Sequence, residues 1–215
     1  MKTRSLYCLL LCLLFTVTSC SGAEEATLGD KDSQITGTDP LKDQKVLIVY
    51  LSRTKNTRAV AEIIHRRVGG DLVGLELEKP YPAHYQTTVD QVAEENRTGY
   101  LPPLKTKIDS IEKYDIVFVG FPTWGMQLPP PMKSFLKQYN LAGKTVIPFN
   151  TNAGYGIGSS FDTIKQLCSK SKILEGFTTK AGVERDGIRF VISGEKEKQV
   201  TVQLTEWLAK LGFTK

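Results

Sequence analysis

Val46-Leu47-Ile48-Val49-Tyr50-Leu51, then Ser52-Arg53-Thr54-Lys55-Asn56-Thr57, then Ala59, Val60, Ile63, Ile64 and Val68 form the stretch that decides the fold. An unbroken apolar run rich in β-branched residues describes a strand buried on both faces, as in a parallel sheet. The apolar residues after it recur at helical spacing and end at Gly69-Gly70, a helix stop. The opening unit is therefore strand, polar loop, helix. The same alternation continues, with strands predicted at 72–77, 114–120, 145–149 and 172–179, and helices at 87–97, 132–139, 161–168 and 200–211. Strands alternating with helices imply an α/β fold, a parallel sheet covered on both sides.

Composition agrees. The chain has 215 residues, 40% hydrophobic and 24% charged, which is too apolar for a disordered chain and too polar for a polytopic membrane protein. With 28 Lys+Arg against 23 Asp+Glu its formal charge is +5, mildly basic and not a nucleic-acid composition. Cys8, Cys12 and Cys20 crowd the first twenty residues, and Cys168 stands alone in the body. No disulfide between body cysteines and no Cys-based zinc site can be built from that. His65 and His84 are the only histidines, too few for a His-based metal site, and a Ser-His-Asp triad lacks material as well. No metal is expected. The Gly-x-Gly-x-x-Gly dinucleotide fingerprint is absent after the first strand.

The N-terminus explains the cysteine skew. Lys2 and Arg4 precede an uncharged, mostly apolar run at 6–17, so residues 1–19 read as a secretory leader, too short for a membrane span of about 20 residues. Val17-Thr18-Ser19-Cys20 resembles a bacterial lipobox, which would make Cys20 the lipid-modified first residue of the mature protein. Residues 20–43 are almost without aliphatic side chains and read as a flexible tether. The folded domain is 44–215, exported and lipid-anchored at the bacterial cell envelope, on the periplasmic side or the outer surface.

Open α/β sheets bind ligands beyond the carboxyl ends of their strands, so the loops there carry the functional reading. Ser52 to Thr57 puts hydroxyls and an amide at a helix start, where free backbone amides and the helix dipole suit a phosphate. A simple N-cap needs only one such residue. After the third strand comes Gly120-Phe121-Pro122-Thr123-Trp124-Gly125-Met126-Gln127-Leu128 with three prolines behind it, and after the fourth Asn150-Thr151-Asn152-Ala153-Gly154-Tyr155-Gly156-Ile157-Gly158. A phosphate cradle and two aromatic-bearing walls would satisfy a planar ligand with a phosphate tail. Residues 79–108, holding Tyr81, His84, Tyr85, Glu94, Glu95 and Tyr100, form a long insertion near the same edge, a candidate lid.

From Lys45 onward the chain resembles the flavodoxin family. Its phosphate loop, Thr/Ser-x-Thr-Gly-Asn-Thr, is matched at Ser52 to Thr57 with Lys55 in place of Gly, and the segments at 122–125 and 150–158 match the two flavin-flanking loops. The resemblance implies a flavodoxin-like three-layer sandwich with a five-stranded parallel sheet of order 2-1-3-4-5, and non-covalent FMN. It implies that Ser52, Thr54, Asn56 and Thr57 bind the phosphate, with Arg53 and Lys55 as nearby cations. Trp124 and Tyr155 would flank the isoalloxazine ring, and Pro122, Thr123, Gly125, Met126, Thr151, Asn152, Ala153, Gly154 and Gly156 would border it. The Gly125 peptide, free to turn over, would face the ring nitrogen that takes up a proton. Because the chain is basic where electron-shuttling flavodoxins are acidic, a less negative reduction potential is expected. The function implied is electron transfer, or flavin-dependent reduction of a small acceptor such as a quinone, with a redox partner protein or that acceptor as partner. A flavin-free flavodoxin-fold lipoprotein acting as a binding or structural module is the alternative.

Overall fold

The computed structural model describes residues 44–213; the leader at 1–19, Cys20 and the tether to residue 43 lie outside the described residues. The elements run β1 (Val46–Tyr50), α1 (Asn56–Val68), β2 (Asp71–Gly74), α2 (Tyr85–Thr98), β3 (Ile116–Pro122), α3 (Pro130–Gln138), β4 (Thr145–Asn152), α4 (Ser160–Leu167), β5 (Lys172–Ile173), β6 (Phe177–Lys180) and α5 (Gly194–Lys210). All pairings are parallel, in the order β2-β1-β3-β4-β5, with β6 continuing beside β4. This is the 2-1-3-4-5 order that the flavodoxin resemblance implied.

Alternation along the central strands divides the core into two layers. Leu47, Val49, Val117, Val119 and Phe121 bury against Met132, Phe135 and Ile164 of α3 and α4. Val46, Ile48, Ile116, Phe118 and Ile147 bury against Val60 and Ile64 of α1 and Leu204 and Trp207 of α5. Since both faces of β1 and β3 are covered, their sequences read as continuous apolar runs and not as alternation. Cys168 is buried in the first layer, and loss of water pushes its thiol up to about 11, as befits a core residue.

Beyond shifted ends, such as α5 beginning at Gly194 and β4 reaching Asn152, two strands differ from the sequence expectation. The strand expected at 172–179 is split into β5 and β6, and Pro148 is the reason. The Val146 carbonyl accepts from Leu174 N–H at 3.1 Å, so residues 146 and 148 both face the fifth strand. Proline has no N–H to give, the ladder lapses there, and residues 174–176 leave the sheet. Trp207 Nε1 donates to the freed Glu175 carbonyl at 3.0 Å. The second strand, expected to reach residue 77, stops at Gly74, and Leu77 pairs instead with Leu104 of the insertion in an isolated bridge. Glu78 N–H to the Pro103 carbonyl and Lys105 N–H to the Glu76 carbonyl continue that pairing. The insertion is thus a built part of the domain.

Candidate functional site

The loop from β1 to α1 turns on Lys55, which takes the left-handed conformation at φ 68°. Ala59 N–H to the Lys55 carbonyl, at 2.9 Å, is the first backbone bond of the helix, and Arg58 N–H donates to Ser52 Oγ at 3.2 Å. Among the described residues, the N–H groups of residues 53–57 have no acceptor. Five free amides around a helix start form an anion cradle, with the helix dipole adding to it. The loop therefore keeps the shape that a glycine would favour, although a lysine occupies the turn.

The side chains in this loop divide into two groups. Thr54 and the Lys55 ammonium are open to a ligand: Lys55 is exposed and, among the described residues, in no ion pair. Others are already engaged. Asn56, 2% exposed, donates from Nδ2 to Thr54 Oγ1 at 3.0 Å and to the Arg189 carbonyl at 2.5 Å, and its Oδ1 accepts from Val191 and Ile192 N–H. It staples α1 to the chain entering α5. The buried Thr57 hydroxyl pairs with Thr151 Oγ1 at 2.8 Å. Arg58 pairs with Glu62 on the helix surface.

Arg53, expected as a cation for the phosphate, is a strut between three loops. Its Nε donates to both carboxylate oxygens of Glu184 at 2.9 and 3.0 Å, and its two terminal nitrogens to the Pro82 and Ala83 carbonyls at 3.0 and 2.9 Å. The two side chains are only 18% and 13% exposed. Glu184 lies in the loop after β6, a fourth site loop that the sequence reading did not single out.

After β3, Trp124 and Gln127 exchange backbone bonds around Gly125 (φ 56°) and Met126 (φ 58°). Positive φ at both central positions is the type I′ signature, and Gly125 meets it without strain. Trp124 packs edge-on against Tyr81 of the insertion, ring centres 5.4 Å apart. The loop after β4 docks onto this turn. Ser159 N–H donates to the Met126 carbonyl at 3.0 Å, and a Cβ on Gly158 would lie 2.0 Å from that oxygen, so only glycine permits the approach. Thr151 and Asn152 belong to β4 itself, and Asn152 Oδ1 accepts from Gly154 and Gly156 N–H to shape the turn. Beneath them fully buried Asn150 donates to the Phe121 carbonyl and to Thr123 Oγ1, locking the two loops together. Tyr155 is 66% exposed. Arg185 is held charged above its usual value, foremost by its hydrogen bond to Asp186.

Two adjoining cavities lie at this edge. The smaller, about 110 Å³, is bounded by Thr54, Asn56, Thr57, Pro122, Thr151 and Ala153. The larger, about 410 Å³, lies between the Thr123–Gly125 backbone and α2, which presents Tyr85, Val89, Val92 and Asn96 at helical spacing. Arg53, Tyr85, Thr123, Trp124 and Glu184 border both. Tyr85 and the insertion that carries α2 were expected near this edge as a candidate lid; that α2 forms a cavity wall was not foreseen, though that spacing is readable in the sequence. The residues of the three foreseen loops meet at one edge; Tyr155 borders neither cavity. Among the described residues no cluster of His, Cys, Asp and Glu could hold a metal ion.

A family model described as flavodoxin matches residues 45–192. Among solved structures, a Bacteroides eggerthii protein assigned as a flavoprotein shares 27% identity at a TM-score of 0.63, covering 80% of this chain and 100% of that one. A Bacteroides uniformis protein with the same assignment shares 23% identity at 0.62, covering 75% and 97%. A Lactobacillus acidophilus flavoprotein in complex with FMN shares 22% identity at 0.56, covering 64% and 93%. None of the curated proteins matches the sequence.

Proposed function

Because the chain belongs to the flavodoxin family, we propose that it binds FMN non-covalently at the carboxyl edge of its sheet and serves in electron transfer or in flavin-dependent reduction of a small acceptor. The observation that carries this is the row of unpaired amides at 53–57, opening α1 into a cavity bordered by Trp124. The amides and the Thr54 hydroxyl donate to the phosphate oxygens, the Lys55 ammonium neutralises their charge, and Trp124 offers an aromatic surface to the ring. Asn56, Thr57 and Arg53 hold these groups in place. Bound FMN supplies the redox chemistry; the protein binds it, orients it and limits its contact with water. We further propose that residues 1–19 direct export and that a lipid on Cys20 anchors the domain to the cell envelope through the 20–43 tether.

The first experiment is an absorbance spectrum of the purified domain titrated with FMN. Flavin bands that shift and saturate at one FMN per chain are expected. A colourless protein that leaves FMN free in solution would show the flavin-free alternative to be right.

Lys55 gives a test with two opposite signs. A non-glycine residue in the left-handed region costs about 1–2 kcal/mol, and glycine's larger unfolded-state entropy returns about 0.5–1 kcal/mol of that. Lys55→Gly is therefore expected to raise the unfolding free energy by about 0.5 kcal/mol in urea while weakening FMN binding severalfold. A variant that gains both stability and affinity would mean that the ammonium does not face the phosphate.

A further inference from the structure

We infer that the larger cavity, walled by α2, holds the electron acceptor, a flat uncharged molecule of the quinone class whose carbonyl oxygen meets the side-chain amides of Asn96 and Gln127. This rests on the FMN reading above and adds to it a second ligand, bound at the same time as the cofactor. Size and position are the first reason. At about 410 Å³ the cavity is within the usual range of small-molecule sites, about 300–1,000 Å³. Thr123 and Trp124 border both it and the cavity at the α1 amides, so two ligands held there are close neighbours. The α2 wall belongs to the insertion, which is fastened from both ends: Arg53 donates to the Pro82 and Ala83 carbonyls before α2, and Leu104 pairs with Leu77 after it.

The walls are the second reason. Val89, Val92 and Ala93 on α2 and the Trp124 indole supply apolar sides, and Val89 is 38% exposed although apolar. The charged side chains of the lining already pair with carboxylates, Arg53 with Glu184 and Arg97 with Glu94. Apolar sides with cancelled charges suit a flat, uncharged ligand and reject a carboxylate or an amine.

The polar end is the third reason. Lys133 Nζ donates to Asn96 Oδ1 at 2.8 Å and to Gln127 Oε1 at 3.4 Å. An ammonium has no acceptor to offer, so it fixes both amide oxygens toward itself and turns both NH₂ groups away. Both side chains line the cavity, and neither NH₂ group has an acceptor among the described residues. Two donors without partners call for a ligand that brings an acceptor oxygen, which a quinone carbonyl does. The reaction balances with the two ligands alone. Reduced FMN gives up two electrons and two protons and returns to its oxidised form, and the quinone takes up both, each carbonyl oxygen gaining a hydrogen, to leave as the hydroquinone. The oxygen that gathers negative charge before its proton arrives rests on donors polarised by the Lys133 ammonium.

The test titrates 2-methyl-1,4-naphthoquinone into the FMN-loaded wild type, Asn96→Asp and Val89→Glu by calorimetry, and measures the FMN affinity of each. Asn96→Asp keeps the side chain's size and gives Lys133 a carboxylate partner, and Val89 is partly exposed, so both variants are expected to fold, which thermal unfolding checks. Both are expected to bind the naphthoquinone at least tenfold more weakly while holding FMN within threefold of wild type. Stopped-flow mixing of the photoreduced, FMN-loaded proteins with the quinone in the absence of oxygen gives the second readout. The rate of flavin reoxidation should saturate with quinone concentration in the wild type and rise linearly in both variants. A wild type that holds FMN but binds no quinone and shows no saturation overturns the acceptor site while the FMN reading stands. A tenfold loss of FMN affinity in the α2 variants also overturns it, since the cavity would then serve the cofactor. A wild type that binds no FMN overturns the proposed function and this inference with it.

Discussion

Riboflavin is expected to bind this protein about a thousandfold more weakly than FMN, because the two differ only in the phosphate that the 53–57 loop is shaped to receive. Hydrogen bonds to a charged group contribute about 1.5–3 kcal/mol each. Five backbone N–H groups there lack partners among the described residues, and the Lys55 ammonium stands beside them. Two or three bonds from that set reach about 4 kcal/mol, and each 1.4 kcal/mol is a factor of ten. Backbone donors cannot be deleted by substitution, so the ligand must be changed instead. The side chains report separately: Thr54→Ala removes one donor and should cost FMN about tenfold. Thr57→Ala also strands the buried Thr151 hydroxyl and should lower stability by about 1 kcal/mol as well. Calorimetric titration of both ligands decides the matter. Affinities within tenfold of each other would remove the phosphate from this loop.

The second large effect falls on stability. Arg53→Met takes the partner from a mostly buried Glu184 and two donors from the Pro82 and Ala83 carbonyls. Breaking a buried pair from one side costs about 3–5 kcal/mol. The partial exposure of the pair and the Arg189 guanidinium 3.5 Å from Glu184 temper that, so about 2–3 kcal/mol is expected. Because the charge left behind is the main penalty, Arg53→Met combined with Glu184→Leu should recover half or more of the loss. Urea unfolding of the two single variants and the double closes the cycle. Additive losses would show that Arg53 acts through the carbonyls of the insertion alone.

The sequence made the sheet legible where physics is local. Val46 to Tyr50 and Ile116 to Val119 are apolar because both their faces are covered, and their β-branched residues favour a strand over a buried helix segment of that length. The loop that opens α1 was legible too, since a run of Ser, Thr and Asn before a helix marks a helix start, and the structure leaves a row of unpartnered amides there among the described residues. What escaped depends on distant partners. The Asn56 amide looked like a ligand donor, yet it bonds residues 189–192, more than 130 positions away. Arg53 and Glu184 are 131 positions apart and carry no motif. Whether a cation faces a ligand or a carboxylate is decided by the packing of those loops, and no spacing rule encodes it. The split of the last strand was in reach: Pro148 within a buried strand already withholds one ladder bond from whichever neighbour it faces.

That proline has a consequence for how copies of the chain meet. A sheet grows by offering a free strand edge as a template, and long flat edges invite a second molecule to pair. On the outer side of β4 this sheet presents a two-residue strand, a departure over residues 174–176, and then a four-residue strand. An incoming strand that registered with one segment would lose its bonds at the gap and find the next displaced by the detour. Pro148, placed one strand inward, thereby keeps the border of the sheet from acting as a seed for sheet-to-sheet polymerisation.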